Sequence, residues 1–201
     1  MRTFFIEFIS TFTPYLRFMK KLLLLILSLF LFTKAFSQSS EKLNEVKLNI
    51  GNTIAIASVE FGYERFLDFH QSVEGVFLIN DRMNYHSEKG SREFNTSSFK
   101  LGYNYYFGEY NAGSGLYVNP FLKYRTGEFT QDRMIDPETT GKEIIDMDSF
   151  IIGFGLGYEW NFNDTFVIGP FLNLGRNFSD TVKEKFSAIE FNAGLNIGYR
   201  F

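Results

Sequence analysis

Few residues in this chain are equipped for covalent or acid–base chemistry. Among 201 residues there is no cysteine, and the two histidines are His70 and His86. Without cysteine there is no disulfide, no Cys-ligated zinc, no thiol nucleophile and no lipid-modified N-terminal cysteine. His86 sits beside Tyr85 and Ser87 in a polar stretch, 81–95, that reads as a long loop. It would need that loop to bring Ser91, Ser97 or Ser98 to it, and no His-x-Ser motif is visible. A general base also needs a positioned nucleophile and an orienting group, so the plain reading of His86 is a solvated loop residue. His70 falls in a short turn. The sequence therefore implies no catalytic residue, no metal ligand set and no cofactor, and the chain reads as a non-enzyme.

The charged residues are more informative. The net charge of -3 argues against a nucleic-acid binder, which would carry a basic face. One set of charges recurs at alternate positions of otherwise apolar segments: Lys47, Glu60, Glu64, Lys100, Lys123, Arg125, Glu159, Glu190 and Arg200. Such spacing places them on one face of β-strands. A second set, Glu128, Asp132, Asp136, Glu138, Glu143, Asp146 and Asp148, crowds the segment 127–148 with only Arg133 and Lys142 against it. Asp146 and Asp148 form an Asp-x-Asp pair whose carboxylates suit a hard divalent cation, although the spacing matches no EF-hand. The simpler expectation is a solvated, polar surface loop.

The elements that would position these charges are strands. The clearest runs from Ser149 to Phe162, where Phe150, Ile152, Phe154, Leu156, Tyr158 and Trp160 share one face. Gly153, Gly155, Gly157, Glu159 and Asn161 share the other. Residues 189–201 repeat the pattern, as do 97–107 and 58–67. Weaker alternation covers 44–54, 72–80, 116–126 and 165–176. This predicts eight strands and no long helix. Gly-Tyr recurs at 62–63, 102–103, 157–158 and 198–199, on the second, fourth, sixth and eighth strands. An echo, Asn119-Pro120-Phe121-Leu122 and Gly169-Pro170-Phe171-Leu172, falls on the fifth and seventh. Connections 68–71, 108–115 and 161–164 read as short, 81–95 and 127–148 as long, and 177–186 as intermediate. That alternation fits an up-and-down antiparallel meander.

The apolar face is too continuous and too aromatic to line one small ligand cavity. It is expected to face lipid, with the glycine- and charge-bearing face turned into a crowded lumen. Tyr63, Tyr103, Tyr158 and Tyr199 would form an aromatic girdle. Buried charges must be paired, so Glu60, Glu64, Lys100, Arg125, Glu159, Glu190 and Arg200 are expected to form an internal network, with Arg200 bridging to Glu64 or Glu159. An eight-stranded interior is just wide enough for its own side chains, which favours a plug over an ion path. Pro120 and Pro170 oppose the scheme unless each sits at a rim, a bulge or a locally unpaired position.

The N-terminal segment reads as a leader, residues 1–37. Lys20 and Lys21 follow Met19, an apolar run extends from Leu22 to Phe32, and Ala35-Phe36-Ser37 places small residues at a cleavage site before Gln38. Residues 19–37 are thus expected to be a secretory signal peptide. The run is shorter than the ~20 residues a membrane helix needs. Residues 1–18 are expected to lie upstream of the true start, leaving 38–201 as the barrel domain.

With these features in place, the chain resembles the small eight-stranded outer-membrane β-barrels, the group that includes the OmpA transmembrane domain, OmpX and OmpW. The carriers are the leader, the eight alternating strands and the ending Leu195-Asn196-Ile197-Gly198-Tyr199-Arg200-Phe201. That ending is similar to the signal read by the barrel-assembly machinery, with Ile197, Tyr199 and Phe201 on one face. The Gln after the cleavage site and Gly62-Tyr63-Glu64-Arg65 resemble small barrels of Bacteroidota. The resemblance implies an all-β, eight-stranded antiparallel transmembrane barrel in the outer membrane of a Gram-negative bacterium, in contact with outer-membrane lipid and lipopolysaccharide. It implies a structural or surface-interaction role without catalysis. Alternatives are an OmpW-like, porin-like transporter for small apolar molecules, a lipid A-modifying enzyme, and a soluble lipocalin-like carrier with Phe150, Phe154, Leu156 and Phe191 lining its cavity.

Overall fold

Alternation with a period of two gives strands, and nine are formed among the described residues. The computed structural model describes residues 42–82, 93–108, 113–136 and 139–201. The leader assignments therefore lie outside the described residues. The strands are β1 (Asn44–Asn49), β2 (Val59–Phe66), β3 (Gln71–Ile79), β4 (Glu93–Tyr106), β5 (Gly115–Asp136), β6 (Thr139–Asp146), β7 (Ser149–Phe162), β8 (Phe166–Asn177) and β9 (Ile189–Arg200). Every ladder is antiparallel. The order β4-β3-β2-β1-β9-β8-β7-β5 is closed by pairing of β4 with β5. β6 pairs with the distal half of β5 and passes through Met147 and Asp148 into β7, so β6 and β7 are successive parts of one stave. The result is a closed barrel of eight staves.

One rim carries the tight connections and the residues flanking Asn44 and Phe201; we call it the turn rim. There Asn163 and Asp164 both take positive φ, 54° and 51°, and Thr165 N–H bonds Phe162 O at 3.1 Å. This is the primed turn that matches strand twist. The opposite, loop rim carries two short helices, α1 (Ile50–Ile56) and α2 (Asp180–Lys185).

The wall is inside-out relative to a soluble domain. Along β7, Phe150, Ile152, Phe154, Leu156, Tyr158 and Trp160 point outward and are exposed. A lipocalin-like cavity would need Phe150, Phe154, Leu156 and Phe191 inward; all four point out. One outward row crosses five strands as Phe61, Phe77, Phe99, Tyr124 and Phe150. The inward phase is crowded. A Cβ at Gly153 would strike the Phe121 ring, at Gly155 the Asn173 carboxamide, and at Gly157 the Tyr117 ring. These glycines make room for large lumen residues on the neighbouring staves.

The prolines have a specific place. The β4–β5 pairings run through Gly102–Phe121 and resume at Tyr105–Val118, skipping the position where Pro120 lies opposite Tyr103. Likewise β7–β8 pairing skips from Gly157–Phe171 to Trp160–Ile168, where Pro170 lies opposite Tyr158. Each proline thus occupies a gap in the ladder on one side and stays in register on the other, with Phe154 and Leu195 respectively. Two of the Gly-Tyr repeats and the two Pro-Phe-Leu repeats meet at these gaps.

Several boundaries differ from the sequence reading. The strand expected over 44–54 stops at Asn49, whose side chain caps α1 by accepting from Asn52 N–H at 3.1 Å. Ile50, Asn52 and Ile54 mimic strand alternation, but the cap turns the chain into a helix. The segment 127–148 is not a solvated loop: most of it is the β5–β6 hairpin. Its inward residues Phe129, Ile145 and Met147 pack with Phe94, Val182 and Phe186 into a small apolar cap at the loop rim. The Phe94 and Phe129 rings pack tilted against each other with centroids 4.5 Å apart. The stretch 81–95 gives residues 93–95 to β4, and 177–186 holds α2.

Candidate functional site in the barrel lumen

Seven carboxylates and five cations from the described residues converge inside the wall. They group into three layers. Nearest the turn rim, Lys47 Nζ is held by Glu45 Oε1 at 3.1 Å, Glu64 Oε2 at 2.6 Å and Glu159 Oε2 at 2.6 Å. An ammonium has three donors, and all three are used. Arg200 joins two of the same acids, through Nε to Glu45 Oε2 at 2.9 Å and Nη2 to Glu159 Oε1 at 3.0 Å. Its guanidinium lies 4.3 Å from the Phe66 ring centroid. Glu64 also accepts from Asn104 Nδ2 at 2.9 Å, Tyr106 OH at 2.8 Å and Ser72 Oγ. Oxygens of Glu45, Glu64 and Glu159 lie within 4.8 Å of one another, a spacing a cation can use. The Lys47 ammonium fills that role.

The middle layer is sparse. Lys100 pairs with Glu74 at 2.7 Å and lies over the Phe121 ring, 5.5 Å from its centroid. Glu60 accepts from Asn52 Nδ2 at 2.6 Å and Asn192 Nδ2 at 3.2 Å. Asn52 comes from α1, so the helix sends one buried amide into the lumen.

Nearest the loop rim, Arg125 grips Glu190 with two parallel bonds, Nη1 to Oε1 and Nη2 to Oε2, both 2.7 Å. Its Nε donates to Asp81 Oδ2 at 2.9 Å. Lys123 bridges the same acids at 2.7 Å to Asp81 and 3.5 Å to Glu190. Ser98 Oγ donates to Asp81 at 2.5 Å and Asn177 Nδ2 to Glu190 at 2.6 Å. The bidentate fork is the strong form of a carboxylate–guanidinium contact.

Between the layers the lumen holds two cavities of about 20 Å³ each, both touched by Glu60, Lys100 and Asn173. Each has room for about one water.

Of the charges singled out in the sequence, Glu64, Glu159 and Arg200 meet in the first layer, Arg125 and Glu190 in the third, and Glu60 and Lys100 lie between. Arg200 bonds Glu159 and not Glu64, which is committed to Lys47. Glu45, Glu74 and Asp81 were not singled out. Glu45 shares the inward phase of Lys47, so alternation alone would have exposed it. Asp81 is out of phase with β3, because Asn80 takes φ 57° and swings the next side chain inward. No local pattern signals that. Tyr63, Tyr103, Tyr158 and Tyr199 all point outward on strands running toward the turn rim, as do Ile197 and Phe201 at the end of β9.

The other candidates resolve differently. His86 and Ser91 lie outside the described residues. Ser98 is buried and spent on Asp81, while His70 Nδ1 is 3.0 Å from Tyr106 O in the β2–β3 turn. Asp146 and Asp148 accept backbone N–H bonds, from Asp148 at 2.8 Å and Gly127 at 3.1 Å, which shape the junction of β6 and β7.

No known protein family matches the sequence, and no curated protein sequence matches it. Among solved structures the chain is similar to the N-terminal β-barrel domain of Pseudomonas aeruginosa OprF, with 18% identity and a TM-score of 0.47, covering 80% of this chain and 98% of that one. It is also similar to Ail, the attachment invasion locus protein of Yersinia pestis, with 13% identity and a TM-score of 0.46, covering 80% of this chain and 99% of that one. The eight-stave barrel itself is established by the closed ladder.

Proposed function

We propose that this chain is an integral outer-membrane β-barrel with a structural or surface-interaction role, a lumen plugged by its own charge network, and no catalytic activity. The observation that carries the reading is the inverted wall. Charges are sequestered inside, while an aromatic row from Phe61 to Phe150 faces out. That surface would be costly in water and is stable in hydrocarbon, where a sheet must close to satisfy its backbone. Tyr63, Tyr103, Tyr158 and Tyr199 then serve as an interfacial girdle. The turn rim faces the periplasm and the β5–β6 hairpin faces outward, where lipopolysaccharide or a surface partner meets it. Residues 19–37 direct export, and Ile197, Tyr199 and Phe201 present the assembly signal. The water-sized cavities support a plug rather than a transport path.

The test is fractionation followed by electrophoresis in SDS with and without boiling. The expected result is a protein in the outer-membrane fraction whose mobility shifts on heating. A soluble periplasmic protein without a shift overturns the reading. For the plug, the purified barrel in a planar bilayer is expected to show no steady conductance; stable open events would favour a channel.

A further inference from the structure

The outward surface is not uniform. Over β2 to β7 it is an aromatic and aliphatic relief with a hollow of about 350 Å³ at Val73, Leu101, Leu122 and Ile152, and across β1, β9 and β8 it sinks into a larger one. In one cross-strand row Phe61 pairs with Leu48, Leu48 with Ile197 and Ile197 with Ile168. In the next row toward the turn rim Tyr63 pairs with Val46, Val46 with Tyr199 and Tyr199 with Phe166. Short aliphatic side chains form the floor at Leu48, Ile197 and Ile168, Tyr199 lies in it toward the turn rim against Phe166, and Phe61 on one side and Phe162 and Phe166 on the other form walls. The resulting trough has a volume of about 580 Å³ and is lined almost entirely by apolar groups. It runs from the turn rim toward α1.

Two cations lie past its rim-side end, outside its lining. One row closer to the rim, Arg65 pairs in register with Asn44, and its Nη1 donates to Asn44 Oδ1 at 2.7 Å. Lys42 reaches across to Thr165 Oγ1, beside Phe166. Among the described residues neither cation is ion-paired with a carboxylate, although Asp164 lies next to Thr165; Asp164 is engaged by Arg200 Nη1 at 3.3 Å. Every cation inside the barrel, by contrast, has a carboxylate partner.

We infer that this trough is a binding site for one glycerophospholipid of the periplasmic leaflet, its acyl chain lying on Leu48, Ile197 and Ile168 and its phosphate held between Lys42 and Arg65. The inference rests on the membrane-spanning reading above. An apolar trough gains from close dispersion contact with a flexible chain that flat wall does not offer, and two rim cations attract a phosphodiester. Together they distinguish this trough from the hollow at Leu122 and Ile152, where the rows toward the turn rim, Val73–Tyr103 and Gln71–Tyr105, carry no cation.

The experiment uses the full chain in vesicles of phosphatidylethanolamine and phosphatidylglycerol. A phosphatidylglycerol carrying a photoactivatable diazirine midway along one acyl chain is the probe, and native mass spectrometry of the detergent-extracted protein counts retained lipid. Adducts are expected to concentrate on the trough floor over the second, cation-free hollow at Leu122 and Ile152. Lys42→Gln and Arg65→Gln are each expected to lower retained phospholipid by about fivefold. Ile197→Trp fills the floor and abolishes retention, while Leu122→Trp leaves it unchanged. Heat-modifiability is measured on each variant to confirm a folded barrel. A folded, heat-modifiable protein whose adducts spread evenly, or whose retention is indifferent to Lys42, Arg65 and Ile197, overturns the lipid site and leaves the barrel reading intact. A protein that neither enters vesicles nor shifts on heating overturns both.

Discussion

Strand β5 obeys two opposite rules along its own length. In the barrel body its inward residues are Lys123 and Arg125 and its outward residues Leu122 and Tyr124. Past Gly127 the inward residue is Phe129, packed against Ile145 and Met147, and the outward neighbour is Glu128. The body hides charge and shows apolar surface; the cap hides apolar surface and shows charge, with Met134 and Ile144 as exposed exceptions. The same backbone is compatible with both, because pleat alternation does not specify which face meets which solvent. On the membrane-spanning reading proposed above, the crossover is where the wall leaves hydrocarbon and enters water.

The sharpest way to break this contrast is inside the body. Lys47→Met leaves Glu45, Glu64 and Glu159 buried with Arg200 as the one remaining cation paired to them among the described residues. Removing one partner from a buried ionic cluster costs about 3–5 kcal/mol, so the urea midpoint in lipid vesicles should fall steeply and the heat-modifiable band should weaken or vanish. The two charged layers should also differ. The first layer has three acids for two cations, whereas Asp81 and Glu190 are matched by Lys123 and Arg125. Glu190→Gln is therefore expected to lower the urea midpoint more than Glu159→Gln; the reverse order would mean that charge count does not govern these layers.

Next comes the outer surface of the body. Phe99→Arg puts a cation on the outward row and is expected to cost about 2–4 kcal/mol if that position is near the membrane midplane. The same measurement on Glu128→Arg in the cap should show almost no change. Equal costs would remove the distinction between the two regions.

Smaller effects separate the cap from the body. Ile145→Val trims the packed cap and should lower its local stability by about 1 kcal/mol, read as faster hydrogen exchange in β6. Ile152→Val, on the outward face, should leave exchange unchanged.

The smallest effect is electrostatic and belongs to the exposed cap. Gln131 Nε2 and Lys185 Nζ donate to Glu143 at 2.8 and 3.0 Å and hold its carboxyl below the usual carboxylate range. Because the folded value is the lower one, the contribution is present above the unfolded value, about 4.3, and is lost as pH falls through the folded value. Exposure and salt keep it small. Lys185→Gln should move the Glu143 midpoint upward in an NMR titration; an unmoved midpoint would show that Lys185 contributes nothing.

Much of this architecture is legible along the chain because alternation is local. Phe150 to Trp160 on one phase and Gly153 to Glu159 on the other declare a strand with one apolar and one crowded face before any partner is known. The charges at Glu64, Arg125, Glu159, Glu190 and Arg200 can be assigned to the inner phase on the same ground. The cap is not legible for a related reason: in 127–148 the polar outward residues outnumber Phe129, Ile145 and Met147, so composition there masks phase.

The sequence by itself determined the strand count of the barrel and the face each regular side chain takes, since these depend only on neighbours two positions apart, and the residue types on the two phases, aromatic on one and glycine and charge on the other, pointed to the inversion. Only the tertiary structure decided which charges meet. Lys47 gathers three acids from three other positions in the chain because closure and register bring β1, β2 and β7 together across the lumen. Asp81 joins Arg125 because one residue, Asn80, adopts a left-handed backbone that breaks phase. Asn49 turns an apparent strand into α1, and the gaps at Pro120 and Pro170 exist only where Tyr103 and Tyr158 lie opposite. Pairing is a property of register, and register is set by the closed sheet as a whole.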